Sequence, residues 1–276
     1  MKGVRVLDPS VCATADLLNL GAGSGSWLLH EARRLGVDHP IGVDRNHSKV
    51  ARAQADGLPV YEADFTQLDP ADFPAVRIVV FDNVLEHFPS LAAVEEVFDR
   101  ACAMASHVVY IRHPSFEHEE YLASYGVKQY WTDWPGVHTT HVRLHDFVTM
   151  AERNHVYDFA VRPLKRAVDS DDPTMLPLDA PPNQRKSVRG LGAYGVYDEP
   201  VHGPKPHIVF DRPVYFAFDI FFFLRHDAPG VRYPRDTETA LARPFLDWGT
   251  RDADPDGATL RGRARRAMRI LRRAGT

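Results

Sequence analysis

Through the first 165 residues, short apolar runs alternate with stretches whose apolar positions recur every three or four residues. Leu17-Leu18-Asn19-Leu20 reads as a short buried strand, and glycines at 21, 23 and 25 break it. Glycine accepts positive φ and lets another backbone or a ligand approach closely. Leu28, Leu29, Ala32 and Leu35 then fall at helical spacing, with Gly36 as the stop. Residues 40–44 predict a second strand ending on Asp44, and a helix around Val50, Ala51 and Ala53 stops at Gly57. Residues 58–65 and 77–81 predict the third and fourth strands, the latter running into Asp82-Asn83. Leu91, Val94, Val97, Phe98 and Ala101 mark one face of a helix, and residues 107–111 a fifth strand. This alternation predicts a parallel, doubly wound α/β sheet.

Past Arg112 the pattern changes. Residues 113–142 are rich in His, Tyr and Trp and hold no clean period, whereas Phe147, Val148, Met150 and Ala151 restore a helix over 144–153. Residues 156–164 and 214–224 predict two further strands, separated by a proline-rich excursion at 169–206. Leu260, Ala264, Ala267, Met268 and Leu271 place one apolar face on a final helix whose other face is arginine. The expected organisation is a core over 1–165 that includes the 113–142 cap. Residues 166–226 are an insertion plus the last sheet strand, and 227–276 a C-terminal extension.

Composition narrows the class. Of 276 residues, 44% are apolar and 25% charged, ordinary for a globular protein. The apolar run at 214–224 is interrupted by Asp219 and too short to span a bilayer. The N-terminus lacks the apolar segment of a secretory signal, and Cys12 and Cys102 are the only cysteines. A reducing cytoplasm is therefore the expected compartment, with no disulfide framework. The net charge of −4 hides seven arginines and no acid within 258–276, so the rest of the chain stands at −11. An acidic body with a basic tail argues against a nucleic-acid groove. The tail itself either packs its leucines on the body or docks on a partner chain or an anionic membrane surface.

Four short motifs fall in order: Asn19-Leu20-Gly21-Ala22-Gly23-Ser24-Gly25, Gly42-Val43-Asp44, Ala63-Asp64-Phe65 and Asn83-Val84-Leu85-Glu86-His87. Together they resemble the class I S-adenosylmethionine-dependent methyltransferases over residues 17 to about 165, the Leu-Glu-His ending being the most family-specific piece. The resemblance implies a seven-stranded Rossmann-like sheet, mostly parallel with one antiparallel strand, with cap insertions over the active site. It implies S-adenosylmethionine as cofactor and a contact set of Asn19, Gly21, Ala22, Gly23, Gly25, Asp44, Arg45, Asp64, Phe65, Asp82, Asn83 and His87. In this set the glycine-turn N–H groups face the cofactor's carboxylate, Asp44 takes the ribose hydroxyls or else caps a helix, and Asp64 takes the adenine amine with Phe65 on the ring. Glu86 and His87 also have a structural role open to them, Glu86 bonding the cofactor-loop backbone and His87 closing the strand-to-helix turn. The family usually has Asp or Glu where Asn19 stands, and Asn brings no charge opposite the cofactor's ammonium.

Acceptor chemistry is expected from the cap. His113 and Glu117 follow the fifth strand, and His113, His138 or His141 could take a proton from an acceptor hydroxyl, since imidazole titrates near neutral pH. Tyr121, Tyr130, Trp131 and Trp134 are the expected substrate walls. His138, His141 and His145 have spacings compatible with a metal, but no acid completes the set, so none is expected. Glu117, Glu119 and Glu120 could face a cationic amine or be a solvated helix start. Asp219 inside an apolar strand requires a partner, either a core arginine or a pocket. The leading expectation is methyl transfer to a small-molecule acceptor, at oxygen, on a natural-product or sugar-type substrate. One alternative keeps the fold but performs ring closure or hydrolysis without cofactor turnover, and another is a non-catalytic partner subunit.

Overall fold

Every residue of Leu17–Leu20 is buried, as a strand covered on both faces requires. In the computed structural model, which describes residues 7–134, 136–182 and 197–225, this segment is β1 of a seven-stranded sheet. The other strands are β2 (Pro40–Asp44), β3 (Val60–Glu62), β4 (Ile78–Asp82), β5 (Val108–Pro114), β7 (Asp158–Asp169) and β9 (Val209–Phe223). Their order is β3-β2-β1-β4-β5-β9-β7. Neighbours from β3 to β5 pair in parallel, and β9 alone runs antiparallel to both its neighbours.

Successive strand residues supply two cores. Leu18, Val43, Val79, Phe81, Val109 and Ile111 pack with α1 (Pro9–Thr14), α4 (Leu91–Met104) and α6 (Leu144–Arg153). Leu17, Ile78, Val80, Val108 and Tyr110 face α2 (Leu28–Leu35) and α3 (His47–Ala55). Gly36 ends α2 at φ 68°, and the Asn46 side chain caps α3 through the Lys49 N–H.

The cap holds elements too short for their sequence pattern to declare. α5 (Glu119–Ser124) is followed by β6 (Val127–Gln129), which pairs antiparallel with β8 (Met175–Pro177), and α7 (Glu199–His202) precedes β9. Leu122, Val127, Met175, Phe210 and Val214 form a third small core there.

Strand lengths differ from expectation because β9 is fifteen residues long. Its ladder extends β5 to Pro114 and draws Arg112 and His113 into the sheet, while β7 runs on to Asp169, through the boundary expected at 165. The third strand shrinks to three residues. The long β9 also aligns charges across four strands, with Asp82 beside Arg112, Arg112 beside Asp219 and Asp219 beside Arg162. Asp219 is fully buried and accepts from Arg112 Nε at 2.9 Å, Tyr110 Oη at 2.8 Å and both Arg162 Nε and Nη2. It is a core acid, and burial would raise its carboxyl, but the two arginines outweigh that and hold it below its ordinary value.

The expected basic helix at 258–276 and residues 183–196 of the excursion lie outside the described residues. No described helix is long and apolar enough to cross a membrane.

Candidate functional site

Gly21, Gly23 and Gly25 all have positive φ, at 79°, 58° and 69°. A side chain at Gly21 would run into Val84, and one at Gly25 into Val60. Their N–H groups do not wait for a ligand. Gly21 and Ala22 both donate to the Val43 carbonyl at 2.9 Å, Gly23 to Asp44 Oδ2 at 2.7 Å and Gly25 to the Ala22 carbonyl at 2.9 Å. The expectation that these groups face a cofactor carboxylate is corrected: those of Gly21, Ala22 and Gly23 bind the turn to the end of β2, and that of Gly25 closes the turn on itself. Asp44 also accepts from Asn46 N–H at 2.7 Å, so its carboxylate clamps the turn to the start of α3.

The turn borders a cavity of about 550 Å³, within the roughly 300–1,000 Å³ range of small-molecule sites. Asn19, Asp82 and Asn83 line it from the strand ends. Asn19 is only 4% exposed, and its Oδ1 has no hydrogen-bond partner. An orphaned buried acceptor is costly unless a ligand meets it. Burial raises the Asp82 carboxyl against the pull of Arg112. Asn83 adopts a left-handed φ of 50° and donates from Nδ2 to Asp82 Oδ1 at 2.8 Å.

The opposite wall comes from α3, through Ser48, Lys49 and Arg52. Sequence reasoning missed these. In the sequence they read as the solvated face of a helix, and the available signal was their one-turn spacing behind the strand-end acid. Arg45, expected to touch the cofactor, is exposed and does not line the cavity. Asp64 is likewise exposed, its Oδ1 accepting from the Thr66 N–H at 3.0 Å and hydroxyl at 2.7 Å to start a 3-10 turn. Phe65 packs on Phe81 and Phe88 in the core beneath. Neither lines the cavity.

Glu86 and His87 sit in the 3-10 turn Leu85–His87 that follows β4. The Glu86 carbonyl accepts from Thr139 N–H at 2.9 Å, which fastens the cap to the strand end. Its side chain does not take the cofactor-loop bond expected of it; it is buried 3.4 Å from His113 Nδ1. Burial would raise this carboxyl, but His113 and His87 hold it below its ordinary value. His113 is therefore a buried partner of Glu86, enclosed by Phe116 and Phe147, and not an open base. Glu117 is corrected in the same way: Oε1 accepts the Leu144 N–H at 2.5 Å and begins α6, while burial raises the carboxyl.

His141 pairs with Glu119 at 2.7 Å and stacks on Phe116. His145 is exposed on α6. The structure groups His138 not with these two but with Glu86 and His87. His138 Nδ1 lies 2.8 Å from the Trp131 carbonyl, His87 Nδ1 lies 2.7 Å from that of Val137, and the two rings are 5.2 Å apart. His87, expected on the cofactor side, thus meets the cap.

Of the expected aromatic walls, Trp134 lies against His138 at 4.8 Å. Trp131 is buried and donates to the Ser115 carbonyl at 2.9 Å, with Tyr130 edge-on against it. Tyr121 bonds Asp211 at 2.7 Å and belongs to the small core of the cap. Trp131 and Tyr121 are thus structural in position.

A methyltransferase-domain family matches residues 9–164, more than half the chain. The chain belongs to this family, and is an S-adenosylmethionine-dependent methyltransferase of class I. Several solved structures are similar to the chain at low identity. A SAM-dependent methyltransferase from Archaeoglobus fulgidus is 14% identical over 78% of this chain and 88% of its own, with a TM-score of 0.49. The magnesium protoporphyrin IX methyltransferase from Synechocystis, with bound SAH, is 12% identical over 77% and 75%, with a TM-score of 0.45. An amino pentose methyltransferase from Micromonospora echinaspora, with bound SAM, is 20% identical over 38% and 44%, with a TM-score of 0.32. No curated protein sequence matches the chain.

The residues of this methyltransferase fit its cofactor. Asn19 Oδ1 lacks the donor that an ammonium would bring, and Lys49 and Arg52 offer positive charge suited to a carboxylate on the same cavity.

Proposed function

We propose that the protein methylates a hydroxyl oxygen of a small-molecule acceptor of natural-product or sugar type, using the cavity beside the glycine turn for S-adenosylmethionine. The observation that carries this reading is the unpartnered Asn19 Oδ1 on that cavity. In this reading Asn19 holds the ammonium and Lys49 and Arg52 the carboxylate, while Asp44, behind the turn, fixes the wall that they face. When bound, the cofactor supplies an electrophilic methyl group, whose carbon bonds to the acceptor oxygen as the carbon–sulfur bond breaks with its electron pair left on sulfur.

The chain's task is then to position the acceptor and receive its proton. The Glu86–His87–His138 group with Trp134 beside it supports that role, because burial lowers the His138 imidazole and keeps its ring neutral at pH 7. A cationic amine has less support. Glu119 and Glu120 already share Arg143, with His141 2.7 Å from Glu119, and Glu117 is held by α6.

Calorimetry with S-adenosylmethionine tests the cofactor half, with one equivalent expected to bind. Methyl-labelled cofactor offered with phenols, sugars and amines, followed by mass spectrometry, tests the acceptor half. Label on small-molecule oxygen is expected; label on nitrogen alone, or no cofactor binding, overturns the reading.

A further inference from the structure

Glu86, His87 and His138 bring one carboxylate oxygen and two ring nitrogens within 4.8 Å of one another. Both rings are oriented by the same device. A carbonyl oxygen can only accept, so the contacts from His87 Nδ1 to Val137 and from His138 Nδ1 to Trp131 place a proton on each Nδ1. That tautomer leaves the lone pair of each ring on Nε2, as in metal-ligating histidines whose orientation a backbone carbonyl fixes.

The carboxylate is also held from behind. Glu86 Oε2 lies 3.4 Å from His113 Nδ1, while Oε1 lies 4.0 Å from His87 Nε2. Glu86 is only 1% exposed, and Oε2 has no hydrogen bond of good geometry. One carboxylate and two imidazoles therefore converge on a single position, where a cation would be held by all three.

We propose that Glu86, His87 and His138 bind a divalent first-row transition metal, of the Zn²⁺, Co²⁺ or Mn²⁺ kind, with His113 positioning the Glu86 carboxylate. Zinc ligands at about 2.0–2.1 Å from a tetrahedral centre lie about 3.3 Å apart, so the donors close by about 1.5 Å at most, a matter of side-chain rotation. Imidazole donors favour these metals over Mg²⁺ and Ca²⁺, which take oxygen. Three protein ligands leave a coordination position open. With a metal held there the ring nitrogens would serve as ligands, so an acceptor hydroxyl at the open position would give its proton to solvent and not to His138. This last role rests on the proposed O-methylation, whereas the metal site itself does not.

The test uses the full-length, untagged protein after chelator treatment, titrated with Zn²⁺ by calorimetry and with Co²⁺ by visible absorption. One equivalent of Zn²⁺ and ligand-field bands with Co²⁺ are expected, with no competition from millimolar Mg²⁺. His87→Gln and His138→Gln should each weaken Zn²⁺ at least about 30-fold, since loss of a residue that merely orients a ligand already costs about 10–100-fold. His145→Gln, on the exposed face of α6, should leave binding unchanged. His87 is exposed, so its variant remains informative if Glu86→Gln fails to fold. No stoichiometric binding, or binding indifferent to His87→Gln and His138→Gln, overturns the proposal. S-adenosylmethionine binding by the metal-free protein is read separately: cofactor without metal rejects the site alone, and metal without cofactor rejects the methyl-transfer reading alone.

Discussion

The Asp44 carboxylate receives the Gly23 N–H at 2.7 Å and so joins the tip of one strand to the turn that follows another. The same carboxylate receives Asn46 N–H at 2.7 Å, which makes one side chain responsible for both walls of the cavity. Asp44→Ala frees two backbone donors. Hydrogen bonds to charged groups contribute about 1.5–3 kcal/mol each, so a stability loss of about 3–6 kcal/mol is expected in urea unfolding. Affinity for S-adenosylmethionine should fall at least about tenfold by calorimetry.

Gly21 and Val84 form a second such pair. Gly21→Ala places a side chain at φ 79° and into Val84. The left-handed conformation costs about 1–2 kcal/mol and the overlap about 1–3 kcal/mol more. Adding Val84→Ala should recover the overlap part but not the conformational part. A double-mutant cycle on melting temperature checks this, since contacting residues are non-additive.

Asn19→Asp trades stability for affinity. The new carboxylate is a buried charge, with Lys49 and Arg52 across the cavity and not in contact with its buried side, so the melting temperature should fall. With S-adenosylmethionine bound, the acid meets an ammonium through a charge-assisted contact roughly twice as strong as a neutral one. The dissociation constant should drop by about threefold to tenfold, and the ligand-induced rise in melting temperature should exceed that of the unaltered protein.

Asp219 governs acid sensitivity. Its folded carboxyl lies below the ordinary range, so its contribution is present above the unfolded value near pH 3.9 and is lost as the pH falls through the lower folded value. Asp219→Asn removes that component of acid unfolding. It also leaves Arg112 and Arg162 without their shared acid, and breaking a buried pair costs about 3–5 kcal/mol. Stability measured in urea between pH 3 and 7 should therefore be lower throughout the upper range, with a flatter acid limb.

Much of the cofactor half was legible before any coordinates. Pro40–Asp44 and Leu144–Arg153 appear at the predicted positions because Pro, Gly or a change of period bounds each run. Asn19 was legible as a departure from its family's acid, although its orphaned Oδ1 was not. Lys49 and Arg52 were hidden because a charged helix face looks the same whether it meets water or a cavity. His138 was grouped with its neighbours in sequence, while its companions Glu86 and His87 lie about fifty residues earlier and meet it only through the cap. β6 and β8, at three residues each, are shorter than any hydrophobic period can declare.

The row of alternating charges across β4, β5, β9 and β7 bears on how the chain finds its pairing. The C-terminal half of β9, Phe218-Asp219-Ile220-Phe221-Phe222-Phe223, is apolar on both faces, so hydrophobicity alone would accept it slid by one residue in either direction. A one-residue slip turns every side chain to the opposite face. It would carry Asp219 away from Arg112, Arg162 and the Tyr110 hydroxyl together, leaving three polar partners unmet. Asp219 thus acts as a notch that admits β9 between its neighbours in a single register.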